Sequence, residues 1–550
     1  MERQWLKFYD PGVPHHIDYP DIPLHRILEA TVEEFPERDA VIFQGQKITY
    51  GQLGRQVDQM ASGLAQLGLG KGQRMAIMLP NCPQFIVAYY AILKIGGVVV
   101  NVNPMYVERE LEFQLKDAGV EMIVALADFL PRLDAVKEKV CLKTIILTEM
   151  EDAFQKISSA KAEADGKEGI YRYEELLRLG SRQAPPLIEV NPGEVALLQY
   201  TGGTTGLSKG AMLSHRNLVV NVHQCVAWQR EAVRGEERML AVLPFFHVYG
   251  MTVAMNEAIY LAATIILLLR FNADEALEAI NQHRPTRFPG VPTMYFAIIN
   301  HPQVRKYNIS SIRACSCGSS PMPVEALKRF EELTGGKLSE GYGLTEASPV
   351  THANPYQGRR KIGSIGIPRP DTDAKIVDLE TGEKDLPVGE AGELCVRGPQ
   401  VMLGYWNRAE ETERTLRKGW LYTGDIARMD EEGYFYIMDR KKDMIICSGY
   451  NVYPREVEEV LYQHPKIREA CVLGVPDPYR GETGKAFVVL KENEEAGAEE
   501  IIEFCRKNLA RYKVPTLVEF RKELPKSHVG KVLKKILREE EAARSRSSGS

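Results

Sequence analysis

The chain has 550 residues, of which 44% are hydrophobic and 26% charged, with a formal net charge of −5 from 69 basic and 74 acidic residues. This length indicates several domains or subdomains, and the composition is typical of a soluble globular protein. The charge balance lacks the broad basic excess of nucleic-acid-binding proteins, so it gives a nucleic-acid partner no support.

The cysteine pattern and the apolar runs indicate a cytoplasmic location. Nine scattered cysteines include only one close pair, Cys315 and Cys317, and no second pair completes a zinc site, so we expect free thiols. The charged N-terminal residues with an early proline do not resemble a signal peptide. The longest apolar run, 258–269, is shorter than the roughly 20 residues of a membrane span; it predicts a buried strand preceded by a helix end.

Helical and strand patterns alternate through the first 140 residues. Leu24, Ile27, Leu28 and Val32 have helical spacing, and residues 39–69 predict a strand, a tight turn, a second strand and a helix. The β-rich runs RMAIMLPN and GGVVVNVNP then flank the helical pattern PQFIVAYYAILKI. This alternation predicts α/β layers with a mostly parallel sheet. The polar segment 157–169 predicts an exposed loop.

The pattern changes near Asp371, where short alternating segments and turn residues predict a small antiparallel β unit. The charge run 439–443 is polar on every side and suits a linker. Pro454 then lies at the first turn of a predicted helix, ahead of further strands and a helix. We therefore expect an α/β protein with a large N-terminal domain (1–438), a hinge (439–443), a smaller C-terminal α+β domain (444–540) and a flexible tail (541–550).

A glycine- and threonine-rich stretch, TGGTTGLSK (201–209), joins two predicted strands, EVALLQYT and GAMLSH, with a helix starting near Ser214. Glycine tolerates positive φ, so the loop can turn its N–H groups toward an anion, and the hydroxyls and lysine add donors and charge. These features favour a polyphosphate ligand; a plain flexible turn is the alternative. The stretch is not a Walker A loop, because Ser208 precedes Lys209 and a strand follows.

The ordered string T-x-G-T-T-G-x-x-K-G is more specific than its composition. It resembles the phosphate-loop signature of the acyl-adenylate-forming family, which includes acyl-CoA synthetases, luciferases and peptide-synthetase adenylation domains. Gly202 and Ser208 stand where that signature usually has serine and proline, and both changes are expected to loosen the loop. The resemblance implies that phosphates are bound by Thr201, Gly203, Thr204, Thr205, Gly206 and Lys209.

Further stretches match motifs of this family in the family's order and cover nearly the whole chain. They are LPFFHVYG (243–250), CGSSPMP (317–323), SEGYGLTEASP (339–349), GWLYTGDIA (419–427), the hinge motif (436–458) and LPKSHVGKVLKK (524–535). The resemblance extends to fold and implies that the C-terminal domain is mobile.

The resemblance also implies a role for each matching residue of the nucleotide site. Tyr342 would stack on adenine, Thr345 would donate to the α-phosphate, and Glu346 would coordinate Mg²⁺ with Thr201 as a metal-side partner. Asp425 and Arg440 would bind the ribose. The other expected nucleotide- or CoA-site residues are Gly318, Ser319, Ser320, Gly341, Gly343, Gly449 and Tyr450.

The resemblance also implies roles for two lysines in the catalytic cycle. Lys531 matches the catalytic lysine that bridges the acid and the nucleotide. Lys442 matches the pivot about which the C-terminal domain rotates, after which the segment with Ser448, Gly449 and Tyr450 faces the thiol.

The choice within the family rests on His247, which follows Phe246 where amino-acid-selecting adenylation domains have an aspartate. No carrier-protein serine motif follows Lys531, so coenzyme A is the expected acceptor. The overall string is most similar to bacterial medium- or long-chain fatty-acyl-CoA synthetases. We expect the acyl pocket to be lined by Phe246, His247, Val248, Gly318, Gly343, Ser348, Pro349 and Val350.

The expected activity is therefore ligation of a fatty acid to coenzyme A through an acyl-adenylate, with ATP and Mg²⁺, releasing AMP and pyrophosphate. An aryl-CoA ligase of the coumarate type, luciferase-like oxygenation, and an adenylating or binding protein without CoA transfer are the alternatives. Related ligases also suggest a homodimer, and peripheral membrane contact stays open.

Overall fold

The computed structural model describes residues 3–150, 168–201, 208–319, 322–447, 450–477, 480–526 and 532–547. All but the last two residues of the predicted exposed loop 157–169 lie outside these ranges. The first elements alternate as expected: α1 (His25–Glu34), β1 (Asp39–Phe43), β2 (Gln46–Thr49), α2 (Tyr50–Gln66), β3 (Arg74–Met78), α3 (Pro83–Lys94), β4 (Val98–Asn101), α4 (Glu108–Ala118), β5 (Met122–Leu126), α5 (Leu130–Val136), β6 (Thr144–Thr148), β7 (Ile170–Arg172), α6 (Tyr173–Gly180) and β8 (Val195–Thr201).

The middle of the chain continues the alternation. Its elements are β9 (Lys209–Ser214), α7 (His215–Trp228), β10 (Arg238–Ala241), α8 (Val248–Gly250), α9 (Glu257–Tyr260), β11 (Thr264–Leu267), α10 (Ala273–His283), β12 (Arg287–Gly290), α11 (Pro292–Ile299), β13 (Ala314–Cys317), α12 (Val324–Thr334), β14 (Lys337–Gly343), β15 (Val350–Ala353) and β16 (Ile367–Pro368). A π-helical turn, Met251–Asn256, joins α8 to α9. The apolar run 258–269 thus holds a helix end and the buried strand β11, as predicted.

Two mostly parallel sheets build the large N-terminal part. One sheet has the strand order β16-β15-β14-β13-β12-β10-β11-β1-β2. The other contains the strands β9-β8-β4-β3-β5-β6-β7, in this order of hydrogen-bonded neighbours. Helix α3 is apolar on nearly every side, so it is stable only when it is surrounded. It contributes to one hydrophobic core with side chains of both sheets, such as Met75 and Ile265. These layers confirm the predicted α/β class.

The last third of the chain forms two smaller sheets. Its elements are β17 (Asp373–Val377), β18 (Ala391–Arg397), β19 (Gly404–Tyr405), α13 (Ala409–Thr415), β20 (Leu416–Arg417), β21 (Trp420–Met429), β22 (Phe435–Arg440), β23 (Ile445–Cys447), β24 (Tyr450–Val452), α14 (Pro454–Tyr462), β25 (Ile467–Asp477), β26 (Gly481–Leu490), α15 (Ala498–Asn508), β27 (Leu517–Phe520) and α16 (Lys534–Ser547). The sheet β17-β18-β21-β20, with β22 on β21, is the predicted antiparallel unit. The chain leaves this sheet at Arg440 and enters the sheet β24-β23-β26-β25, with β27 on β26, at Ile445.

The end of α16 differs from the sequence-based expectation. The flexible tail was expected from residue 541, whereas the helix continues to Ser547. Lys485 donates to Glu541 over 2.7 Å, and Arg521 donates to Glu540 over 2.5 Å. These bonds attach the helix to β26 and to the residue after β27, which local sequence patterns do not reveal. None of the described helices has the length and hydropathy of a membrane-spanning segment.

Candidate active site

The glycine-threonine stretch lies between two strands, as the sequence predicted, and the structure shows that these strands are antiparallel. The ladder of β8 and β9 runs from Val195 opposite Ser214 to Thr201 opposite Lys209. The Ser208 hydroxyl donates to the Thr201 carbonyl oxygen, which closes the open end of the ladder. Gly203, Thr204, Thr205 and Gly206 lie outside the described residues.

Lys209 meets two residues that the sequence did not single out. Its ammonium forms an ion pair with Glu411 on α13, and it lies 5.2 Å from the centroid of the Tyr405 ring. Strand β19, which contains Tyr405, pairs with β9 and so brings both residues beside Lys209, where the predicted phosphate loop ends. Both residues are about 200 positions from Lys209 in the sequence, which explains why local patterns missed them.

Glu346 lies in the short helical turn Thr345–Ala347 after β14. The Tyr405 hydroxyl donates to its Oε1 over 2.6 Å, and the Met402 N–H donates to its backbone oxygen over 2.8 Å. The carboxylate and the phosphate-loop lysine therefore share Tyr405 as a neighbour. Among the described residues, no group of three or more His, Cys, Asp or Glu side chains could hold a metal ion.

The predicted adenine and ribose residues contact one another directly. The Tyr342 hydroxyl donates to Asp425 Oδ2 over 2.6 Å, and Arg440 Nε lies 3.4 Å from Asp425 Oδ1. Asp425 and Arg440 are cross-strand neighbours on β21 and β22. Desolvation and the adjacent Asp425 carboxylate raise the pKa of the Tyr342 phenol, which therefore stays a hydrogen-bond donor.

Glycines allow the close approaches around Tyr342. A Cβ on Gly343 would lie 2.4 Å from the Pro349 carbonyl oxygen, and one on Gly341 would lie 3.2 Å from the His352 oxygen. The tight pairing of β14 with β15 therefore requires glycine at 343. The Tyr342 ring also packs edge to face on His352, with ring centroids 5.9 Å apart.

Apart from Gly343, the residues predicted to line the acyl pocket lie on three neighbouring segments. The Phe246 carbonyl accepts from Gln199 over 3.0 Å, His247 caps α8 by accepting from the Tyr249 N–H over 3.2 Å, and Val248 is buried. Tyr249 packs against Gly318, where a Cβ would lie 3.2 Å from its ring.

The third segment, 348–350, joins this group through the π-helical turn. Thr252 donates to the Ser348 carbonyl over 2.9 Å, and Asn221 donates to the Val350 carbonyl over 2.8 Å. Ser348, Pro349 and Val350 are buried. Ser319 has φ +70° and is exposed, and Ser320 lies outside the described residues.

The predicted hinge is surrounded by charged groups. Arg538 on α16 donates to Asp443 over 2.5 Å, and buried Asp439 accepts from the N–H groups of Arg440 (2.7 Å) and Arg455 (2.8 Å). Lys442 is exposed, yet desolvation of its amine and then the nearby Arg440 charge lower its pKa to about 8.

The segment that contains Lys531 (527–531) and residue Gly449 lie outside the described residues. Lys526 and Val532 are bridge partners, and the Leu533 N–H donates to the Pro525 oxygen over 2.7 Å. Lys534, at the start of α16, lies 3.0 Å from Glu458 on α14. Tyr450 stacks on Tyr512 with ring centroids 4.8 Å apart and remains exposed.

Comparison with known proteins decides the family. Residues 28–406 match the family model described as AMP-binding enzyme, and residues 456–531 match the AMP-binding enzyme C-terminal domain. The first match alone covers more than half of the chain.

The chain belongs to the AMP-binding enzyme family. This AMP-binding enzyme is 47% identical over 551 residues to a long-chain-fatty-acid–CoA ligase of Bacillus subtilis, covering 98% of both chains. It is 41% identical to a long-chain-fatty-acid–CoA ligase of Escherichia coli O6:H1, again over 98% of both chains. A solved anthranilate CoA ligase in complex with anthranoyl-AMP superposes with a TM-score of 0.86 at 26% identity, covering 96% of this chain and 99% of that one.

Proposed function

We propose that this AMP-binding enzyme ligates a long-chain fatty acid to coenzyme A at the expense of ATP, releasing AMP and pyrophosphate. The observation that carries the proposal is the 47% identity, over 98% of both chains, to the Bacillus subtilis long-chain-fatty-acid–CoA ligase. The relative's name supplies the substrate class.

The reaction needs two displacements because a carboxylate has no leaving group for a thiol to replace. In the first, a carboxylate oxygen attacks the α-phosphorus of ATP, an acyl-adenylate forms and pyrophosphate leaves. In the second, the thiol sulfur attacks the acyl carbon, the thioester forms, the thiol proton is lost and AMP leaves. Both steps depend on positioning and on compensation of phosphate charge.

We assign the triphosphate to the end of the β8–β9 hairpin, where Thr201 and Lys209 supply a hydroxyl and a cation, with Thr204 and Thr205 between them in sequence. Thr345 and Lys531 act at the α-phosphate and the attacking carboxylate. Asp425 and Arg440 take the ribose, and this requires the Tyr342–Asp425 hydrogen bond of 2.6 Å to rearrange when adenosine enters.

The residues present suit Mg²⁺ shared with the nucleotide. Mg²⁺ commonly takes one or two carboxylates and completes its shell with water and phosphate oxygens. Glu346 offers one oriented carboxylate and Thr201 one hydroxyl, and this donor set fits an ion that arrives with ATP. Such an ion would offset charge on the phosphates.

We further propose that residues 439–443 form a hinge between an N-terminal domain (1–438) and a C-terminal domain (444–540). Lys531 then serves the first displacement, and rotation about Lys442 brings Tyr450 and the neighbouring Ser448 and Gly449 to the thiol for the second. The transition between two sheets from Arg440 to Ile445 supports this division. A cytoplasmic location and a homodimer stay predictions.

An aryl acid is the second candidate substrate. The likeness to an anthranilate CoA ligase, with a TM-score of 0.86, favours it, although the identity of 26% is far below that to the fatty-acid ligase. We assign the acyl pocket to Phe246, His247, Val248, Gly318, Gly343, Ser348, Pro349 and Val350.

A panel of acids tests the proposal. Saturated fatty acids of increasing length, benzoate and coumarate are each supplied with ATP, Mg²⁺ and coenzyme A, and acyl-CoA is measured. We expect the largest kcat/KM with long-chain acids. Preference for an aryl acid would replace the substrate assignment, and acid-dependent pyrophosphate release without any acyl-CoA would contradict the ligase assignment while keeping adenylation.

A further inference from the structure

The phosphate-loop lysine is already engaged by a carboxylate of the same chain. Lys209 pairs with Glu411, and both side chains are about one-third exposed. Glu411 lies in the first turn of α13, which follows β19 and so reaches the loop from outside the β8–β9 hairpin.

We infer that Glu411 competes with the phosphates of ATP and pyrophosphate for Lys209. The inference rests on the proposed function, since it requires Lys209 to bind the departing pyrophosphate. Phosphate oxygens that approach the Lys209 ammonium are repelled by the Glu411 carboxylate already paired with it, so this ion pair opposes phosphate binding. Glu411 therefore weakens phosphate binding and, by recapturing Lys209, favours release of pyrophosphate.

Glu411 has a second cation to which it can turn. Arg408 Nε lies 3.9 Å from its Oε1, and the Arg408 guanidinium is held by Asp117 over 2.8 Å. When phosphates take Lys209, the Glu411 carboxylate keeps a positive neighbour. When Lys209 exchanges Glu411 for phosphate, Lys209 and Glu411 therefore each keep a partner of opposite charge.

The expected effect is modest because the pair is partly exposed and screened. Exposed ion pairs contribute up to about 1 kcal/mol, so removal of the Glu411 charge is expected to tighten pyrophosphate binding about two- to fivefold. Glu411 acts through Lys209, so it is a positioning residue, and kcat of adenylation at saturating ATP is not expected to fall.

Glu411→Gln tests the inference, and Glu410→Gln is the matched control. Glu410 is adjacent on α13, its side chain is 87% exposed, and its ion-pair partner is Arg414 at 3.5 Å. The Kd of pyrophosphate with Mg²⁺ is measured by calorimetry for the full chain and both variants, together with the KM for ATP in the acyl-CoA assay. The same pair of variants is then compared in a Lys209→Ala background.

We expect Glu411→Gln to lower both constants about two- to fivefold, Glu410→Gln to leave them unchanged, and Glu411→Gln to have no effect in the Lys209→Ala background. Unchanged or weaker pyrophosphate binding by Glu411→Gln in an active ligase would overturn the inference alone. Equal tightening without Lys209 would also overturn it, because simple repulsion would then explain the result. Absence of any pyrophosphate binding would overturn both the inference and the proposed phosphate site. The expected shift in the Kd of pyrophosphate without any acyl-CoA product would support the inference and contradict the ligase assignment.

Discussion

The hydroxyl of Tyr405 donates a 2.6 Å hydrogen bond to Glu346 Oε1, across 59 residues of sequence. Tyr405 is buried on β19, which is held against β9 by its register with Ala211. Glu346 follows β14, which belongs to the other large sheet. The bond therefore fixes the proposed magnesium ligand relative to the end of the phosphate loop.

Tyr405→Phe removes this bond and keeps the ring beside Lys209. Groups that orient a metal ligand typically contribute about 10- to 100-fold in metal affinity or activity. We expect the Mg²⁺ concentration for half-maximal adenylation to rise by about tenfold, with little change in melting temperature. Tyr422→Phe, which removes a 2.8 Å bond to the Gly382 oxygen in the small antiparallel sheet, is the control. An unchanged Mg²⁺ requirement in Tyr405→Phe would contradict the proposal that Tyr405 orients the Glu346 carboxylate.

Lys531→Ala separates the two displacements. Loss of one charge-stabilising group typically lowers kcat by about 100- to 1000-fold. We expect a loss of this size in pyrophosphate release and near-normal thioester formation from a supplied acyl-adenylate. Lys526→Ala, just outside the 527–531 segment, is the control for a general disturbance. Equal losses in both half-reactions would contradict a lysine that acts in one conformation only.

Lys442→Pro addresses the proposed pivot. Proline fixes φ near −65° and also restricts the preceding residue, so rotation at this position becomes harder. We expect the second half-reaction to slow about tenfold more than the first, equivalent to about 1.4 kcal/mol in the barrier. Lys442→Ala is the control, because it also removes the ammonium group but leaves φ free to rotate. It should slow the two half-reactions nearly equally. Matching losses in Lys442→Pro would contradict domain rotation about this residue.

Buried Glu257, which is not one of the candidate active-site residues, makes the stability of the fold depend on pH. Burial raises its pKa to about 7, against the opposing influence of Arg287, and Gln229 donates to its Oε1 over 2.6 Å. Below about pH 4.5 both the folded and the unfolded chain hold this proton. Between pH 4.5 and 7 only the folded chain keeps it, so unfolding releases a proton and stability falls as pH rises. We expect a loss of about 3 kcal/mol that is complete above pH 7.

Glu257→Gln keeps an acceptor for Gln229 and removes the titration. The free energy of unfolding is measured by denaturant titration from pH 5 to 8. In the parent chain it should decrease as the pH rises, and in Glu257→Gln the part of this decrease that Glu257 causes should be absent. Glu410→Gln, at a solvent-exposed position, serves as the control and should show the same decrease as the parent chain. Identical pH profiles for the parent and Glu257→Gln would show that Glu257 is charged throughout this range.

Much of this arrangement was predictable because it is local. The hairpin that ends at Thr201 and Lys209, the helix that begins after Ser214, and the charged segment after Met438 follow from glycine content, strand alternation and capping. The Ser214 side chain accepts from the Asn217 N–H over 3.1 Å, as expected for a helix start. The nucleotide-binding roles predicted for Tyr342, Asp425 and Arg440 came from motif resemblance, and the structure brings these three residues into contact.

Other features depend on contacts between distant segments, which periodicity does not encode. Tyr405 and Glu411 reach Lys209 only because β19 pairs with β9. The charged end of α16 resembled a flexible tail, but Lys485 binds Glu541. In each case the local sequence is polar or irregular, and the partner is supplied by tertiary packing.

The most direct test of the central claim follows the carboxylate oxygens. A long-chain fatty acid with ¹⁸O in both carboxylate positions is converted with ATP and coenzyme A, and the products are analysed by mass spectrometry. Attack of the carboxylate on the α-phosphorus, followed by thiol attack on the acyl carbon, leaves one ¹⁸O in AMP and none in pyrophosphate. Label in pyrophosphate or inorganic phosphate, or acyl-CoA formation with unlabelled AMP, would contradict ligation through an acyl-adenylate.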